Sequence, residues 1–254
     1  MQKLCCHFLS FSSIIAKEKE IFIILKSYIA FDVETTGLNP LENEIIEIGA
    51  LKVRDGKVAE RFMEFIKPTT SISPAITSLT GITNDMVAQA RPRCSVVADF
   101  LDFCEEDVLI GHNVSFDYSF MKCSAAADGL PFEKMGIDTL KIAQKVLKDL
   151  DSKSLGSLCD YYHIENKSAH RAYHDALATA KLYQTLAHYF EEKDPKIFKP
   201  VQLTYKVKKP QPATPKQIAF LNNLIRKKQV KLQWNPGTIT RSEASRMIDE
   251  LLKG

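Results

Sequence analysis

The chain has 254 residues, of which 45% are hydrophobic and 26% charged, with a net charge of +3. This is an ordinary soluble composition, long enough for one sizeable domain and a small one, and it sets aside the disordered and fibrous classes. The charge is uneven: residues 1–192 hold 20 Lys and Arg against 27 Asp and Glu (net −7), and residues 193–254 hold 14 against 4 (net +10). A basic tail on an acidic body fits a polyanionic partner or a solvated extension.

Residues 1–27 read as an N-terminal extension. Its first part is mildly apolar but lacks the clean core and cleavage site of a secretory signal. Lys17-Glu18-Lys19-Glu20 interrupts it, and the run Ile21 to Leu25 is too short to cross a bilayer. No membrane partner is expected.

From Tyr28 the pattern becomes regular. Tyr28 to Glu34 reads as a buried strand and Ile45 to Val53 as a second. Arg54-Asp55-Gly56-Lys57 is a turn, and Arg61 to Ile66 continues as an antiparallel third strand. Ser73-Pro74 opens a short helix, and Val96 to Cys104 has helical spacing. Val108 to Ile110 is a short central strand closed by Gly111, followed by a helix from Phe116 to Ala127. A strand end at Gly136 to Thr139 precedes helices at Leu140–Leu147, Leu155–Tyr162 and Ala172–Phe190. Leading strands that give way to alternating helices and strands predict an α/β fold with a mixed sheet flanked by helices.

After Phe190 the composition shifts. Residues 192–213 carry Pro195, Pro200, Pro210 and Pro212 among many lysines, which predicts a stiff basic Pro-rich linker. Thr214-Pro215-Lys216-Gln217 and Thr240-Arg241-Ser242-Glu243 are capping boxes, each before an amphipathic run. Residues 214–254 therefore read as a small two-helix module. Its Trp234 is assigned to core packing ahead of base stacking. The six cysteines form no C-x-x-C pair and no ligand spacing with histidine, which points to a reducing, cytoplasmic setting.

Three stretches carry the chemistry. Asp32-Val33-Glu34-Thr35-Thr36-Gly37 ends the first strand, where residues two apart face the same way. Gly111-His112-Asn113-Val114-Ser115-Phe116-Asp117 leads from a strand into a helix. His170-Arg171-Ala172-Tyr173-His174-Asp175 opens the last long helix. Each acid has a bland reading alone, as a solvated strand end, a first-turn helix acid or a surface acid. Their joint occurrence offers four carboxylates and one histidine. Hard divalent cations favour such oxygen donors and relieve their mutual repulsion.

These stretches resemble the motifs of the DEDDh exonucleases. The likeness is to the proofreading (epsilon) subunit of bacterial replicative DNA polymerases and its free-standing relatives, over residues 28–191. Pro74 to Thr83 and Ile137-Asp138-Thr139 add to it. The resemblance implies a ribonuclease H-like fold and metal-dependent 3′→5′ hydrolysis of DNA ends to nucleoside 5′-monophosphates, in replication proofreading or repair. It implies two divalent cations, Mg²⁺ or Mn²⁺, held by Asp32, Glu34, Asp117 and Asp175. His170 would take a proton from the attacking water, since an imidazole titrates near neutral pH. Thr35, Thr36, Leu38, His112, Asn113 and Phe116 are the implied substrate contacts. The implied partners are single-stranded or frayed DNA 3′ ends and a DNA polymerase subunit. An RNA-trimming exoribonuclease of the same family shares every catalytic residue. A non-catalytic nucleic-acid scaffold is the remaining alternative.

Overall fold

A computed structural model describes residues 25–166, 169–207, 211–232 and 234–253. Nearly all of the expected extension 1–27 lies outside the described residues.

Three strands open the fold: β1 (Tyr28–Thr35), β2 (Ile45–Arg54) and β3 (Lys57–Phe65) form an antiparallel meander. Asp55 and Gly56 at its tip both have positive φ, 50° and 77°, as a tight hairpin turn requires. Three helices follow: α1 (Pro74–Thr80), α2 (Asn84–Val87) and α3 (Arg93–Cys104). α2 is a single turn capped by the Thr83 hydroxyl, too short to leave a periodic signal in the sequence. Strand β4 (Leu109–Gly111) leads into α4 (Val114–Ala127), and β5 (Met135–Asp138) into α5 (Thr139–Val146). Then come α6 (Leu155–Tyr162) and α7 (Ala172–Phe190).

β4 pairs parallel to β1, and β5 parallel to β4. With β6 (Val201–Gln202) antiparallel on β5, the sheet runs β3-β2-β1-β4-β5-β6. This mixed sheet flanked by helices is the expected fold. β1 is apolar almost throughout because both its faces are covered. Ile29, Phe31 and Val33 meet Val96, Phe100, Tyr118 and Met121 on the α3–α4 side. Tyr28 and Ala30 meet Ile142, Ala176, Ala180 and Tyr183 on the α5–α7 side.

The expected linker 192–213 needs a correction at its start. A 3-10 turn at Pro195–Phe198 buries Phe198, and β6 extends the sheet, with Leu203 buried against the α4 side. Proline and lysine made this stretch read as connector, yet Phe198 and Leu203 supply the apolar anchors that hold it to the body. Beyond it, α8 (Pro215–Lys228) and α9 (Arg241–Lys253) pack around Leu221, Leu224, Ala244 and Leu251. Both capping boxes form: Thr214 exchanges hydrogen bonds with Gln217, and Thr240 with Glu243. Trp234 is half-buried against this small core.

Candidate active site

The strand alternation of β1 sends Asp32 and Glu34 to the face that α7 covers. Gly49 stands opposite Asp32 in the β2 register, and Glu47 opposite Glu34. A Cβ on Gly49 would lie 2.0 Å from the Tyr173 backbone nitrogen, so only glycine lets the first turn of α7 rest on the sheet here. That turn carries Asp175, which is buried. We expect Gly49→Ala to push α7 outward by more than 1 Å. Steady-state kinetics should then show kcat lowered by ~10²-fold or more, the scale of a 1 Å misplacement. An unchanged kcat in Gly49→Ala would remove this positioning role.

Glu47 fixes the same turn from below. It is 4% exposed. Its carboxylate accepts Arg171 Nη2 at 2.8 Å, Arg171 Nε at 3.2 Å and the Ala172 backbone N–H at 3.1 Å. α7 has no side-chain cap of its own at Arg171, so an acid from a distant strand fills that place.

Asp117 arrives from the other side of the sheet. Gly111 ends β4, Asn113 adopts a left-handed φ of 68°, and α4 begins at once. Asp117, 3% exposed, accepts the Val33 N–H at 3.0 Å and so ties α4 to the end of β1. Asp175 accepts the His170 N–H at 2.8 Å and Asn166 Nδ2 at 2.7 Å. His170 is exposed on the entry loop with a φ of 63°, left-handed for a non-glycine residue. One potential ligand atom each from Glu34, His170 and Asp175 lies within 4.8 Å of the others.

The four acids lie close enough to act on one another electrostatically. Burial and then Asp117, Glu34, Asp175 and Glu47 raise the Asp32 carboxyl well above its ordinary range. Burial, with Asp175 and Glu47, pushes Glu34 up to about 8, against an opposing pull from Arg171. Burial pushes Asp117 up to about 8, opposed by the Val33 hydrogen bond and aided by Glu34. Repelling, buried carboxylates are the donor set that a divalent cation satisfies, so the residues present fit a metal site.

Glu34 and Asp117 hold protons to about pH 8 in the metal-free fold, whereas an unfolded chain ionises them near ~4. The folded state binds more protons between those limits, so this contribution to stability is full below ~4 and is lost as pH rises towards ~8. Thermal melts in chelator should show Glu34→Gln gaining on the wild type as pH goes from ~5 to ~8. Added Mg²⁺ should raise the wild-type Tm more at the upper pH. A pH-independent difference between the two proteins would count against the shared acidic cluster.

The implied substrate contacts divide into two groups. Leu38 is 84% exposed on the turn after β1, an apolar side chain held in solvent beside the acids. Asn113 is exposed, and Phe116 is half-buried against Phe120. The others are occupied by the protein itself. Thr35 Oγ1 donates to the Gly37 carbonyl at 2.6 Å, and Thr36 Oγ1 accepts the Glu44 N–H at 2.9 Å, which shapes the turn that displays Leu38. His112 Nε2 meets the Lys153 carbonyl, which can only accept, so that nitrogen carries a proton. Burial lowers the His112 pKa, and Nδ1 lies 2.9 Å from the Thr139 hydroxyl, which donates to the Gly111 carbonyl. Glu47, Gly49, Arg171 and Asn166 were absent from the expected site. A glutamate inside the apolar run Ile45 to Ala50 was the one available signal.

The comparisons with known proteins agree with this fold. The RNase T exonuclease family model matches residues 29–183. The PolC-type DNA polymerase III of Caldanaerobacter subterraneus subsp. tengcongensis is 38% identical over 165 residues, 65% of this chain and 12% of that protein. The Lactococcus lactis PolC-type polymerase is 37% identical over 170 residues, 66% of this chain and 10% of that protein. The chain thus matches about a tenth of the length of these relatives. Among solved structures, exonuclease X in complex with 5′ overhanging duplex DNA gives a TM-score of 0.55 at 25% identity, covering 68% of this chain and 99% of that one. The nuclease domain of 3′hExo bound to rAMP gives 0.57 at 20% identity, covering 70% and 98%, and supports the fold.

Proposed function

This chain belongs to the exonuclease family, and from that premise we propose that it removes nucleotides one at a time from DNA 3′ ends, releasing nucleoside 5′-monophosphates. The observation that carries the reading is the convergence of Asp32, Glu34, Asp117 and Asp175, drawn from three elements into one electrostatic cluster beside His170.

Asp32, Glu34, Asp117 and Asp175 would hold two divalent cations, Mg²⁺ or Mn²⁺. When bound, such ions neutralise charge at the phosphorus and assist the leaving 3′-oxygen. The chain's own groups do the rest. His170 accepts the proton of the attacking water from its exposed loop. Leu38 packs against the terminal base, and Asn113 and Phe116 line its path. His112, Thr35 and Thr36 act by holding the loops that present those groups. Glu47 and Gly49 set the height of α7 and therefore of Asp175.

DNA is the proposed substrate because the PolC-type relatives are DNA polymerases. Their likeness also supports a role beside a polymerase, in proofreading or repair, in the cytoplasm. Among the described residues no helix is long and apolar enough to cross a membrane. The test is degradation of matched 5′-labelled DNA and RNA oligonucleotides, with Mg²⁺ or with chelator. A metal-dependent ladder shortening from the 3′ end, faster on DNA, is expected. Faster cleavage of RNA would assign the chain to RNA trimming, and absence of cleavage by folded protein would leave only a binding scaffold.

A further inference from the structure

Several cations of the body are neutralised by acids, and those of helix α8 are not. In the body Arg91 pairs with Asp99 at 2.6 Å, Arg93 with Asp128 at 2.7 Å, Lys145 with Asp194 at 2.7 Å and Arg171 with Glu47 at 2.8 Å. Helix α8 contains no acid at all. Among the described residues, Lys216, Arg226, Lys227 and Lys228 form no salt bridge, and Arg226 reaches only the Asn223 side chain at 3.5 Å. The acids of the module, Glu243, Asp249 and Glu250, all sit on α9.

The cations of α8 are also arranged around an aromatic ring. Leu221 and Leu224 point into the module's core. On the opposite side, Lys216, Phe220, Asn223 and Lys227 recur at intervals of four, three and four, which aligns them along one stripe. All four are exposed, and Phe220 is 46% exposed despite its large apolar ring. Arg226 borders the stripe. An exposed ring between unpaired cations, with an amide beside it, matches the chemistry of an unstacked base and its flanking phosphates.

We propose that this stripe of α8 binds single-stranded nucleic acid, with Phe220 stacking on a base and Lys216 and Lys227 on phosphates. The inference rests on the nuclease reading for its purpose. The first 192 residues carry a net charge of −7, and the site itself concentrates four carboxylates, so the body does not draw a polyanion towards it. A basic module supplies that attraction and holds the strand whose 3′ end the site consumes. A single strand is favoured over a duplex because an exposed ring can stack only on a base that is not already stacked.

The test uses the full chain with Asp32→Asn, so that binding is read without cleavage. Fluorescence anisotropy follows a labelled (dT)20 across a salt series. Lys216→Gln with Lys227→Gln should weaken binding and lower the log–log salt slope by about 1.4, about 0.7 for each phosphate contact. Phe220→Ala should weaken binding by ~5- to 150-fold with the slope unchanged, as loss of one stacked base does. Lys227→Arg, which keeps the charge, should retain both affinity and slope, which guards against a folding defect. In the otherwise wild-type chain, these substitutions should leave hydrolysis of the p-nitrophenyl ester of thymidine 5′-monophosphate unchanged. Unchanged affinity and slope for (dT)20 would overturn the proposal. So would equal losses on duplex DNA, or an effect confined to vesicles of phosphatidylcholine and phosphatidylglycerol. If the wild-type chain cleaves neither ester nor oligonucleotide, the nuclease reading fails, and the anisotropy series still decides whether the stripe binds.

Discussion

Asp32→Asn is expected to abolish cleavage while making the metal-free protein more stable at about pH 8. Both halves follow from one arrangement. Asp32 sits at the centre of the cluster, with Asp117, Glu34, Asp175 and Glu47 all raising its pKa. The amide keeps the size and one acceptor oxygen but removes a charge that burial and four neighbours oppose. Unfolding should therefore occur at a higher temperature in chelator. A neutral amide is a poor ligand for a hard cation, so the donor set loses its central member and turnover should fall below detection. Asp175→Asn should lose turnover alike, because its carboxylate faces Asp32 and Glu34 from the first turn of α7. Gel assays and thermal melts on the same preparation check both halves together. Wild-type turnover in either variant would refute the metal roles. A destabilised Asp32→Asn protein would refute the account of repulsion.

His170→Ala carries the second large effect, a fall in kcat of ~10²–10⁴-fold with the fold intact. His170 is exposed, so its loss removes little packing. Its left-handed φ of 63° is held by the N–H bond to Asp175, and that bond survives the substitution because it belongs to the backbone. The missing group is the ring, whose nitrogen reaches within 4.8 Å of ligand atoms on Glu34 and Asp175. Lost proton acceptance should lower kcat more than it changes KM and should flatten the acid limb of the pH–rate profile. Comparing His170→Ala with His170→Gln over pH separates this from a change in shape. A kcat within about threefold of the wild type would place the ring outside the chemistry.

Much of the site was legible because its information is local. Asp32 and Glu34 share a strand face by simple alternation, and His170 and Asp175 lie within one loop and one helical turn. β1 and α7 read clearly because both are long and strongly patterned. Glu47 was hidden because its partner Arg171 lies 124 residues away, and an acid within an apolar strand declares its role only once that partner is in place. Gly49 was hidden for a related reason, since its task is to leave space for the backbone of Tyr173. The resemblance implies that His112, Thr35 and Thr36 face substrate; that their polar atoms also hold the surrounding loops shows only once the fold is in place. Residues 195–203 misled through composition: lysine and proline outnumber Phe198 and Leu203, yet those two buried side chains fix the segment to the sheet.

The most direct test is a titration of the metal-free protein with Mn²⁺, read by electron paramagnetic resonance in the presence of a nucleoside 5′-monophosphate. Two bound ions per chain are expected in the wild type, with a loss of tight binding in Asp32→Asn and Asp175→Asn. Equal Mn²⁺ binding by all three proteins, or none by the folded wild type, would contradict it.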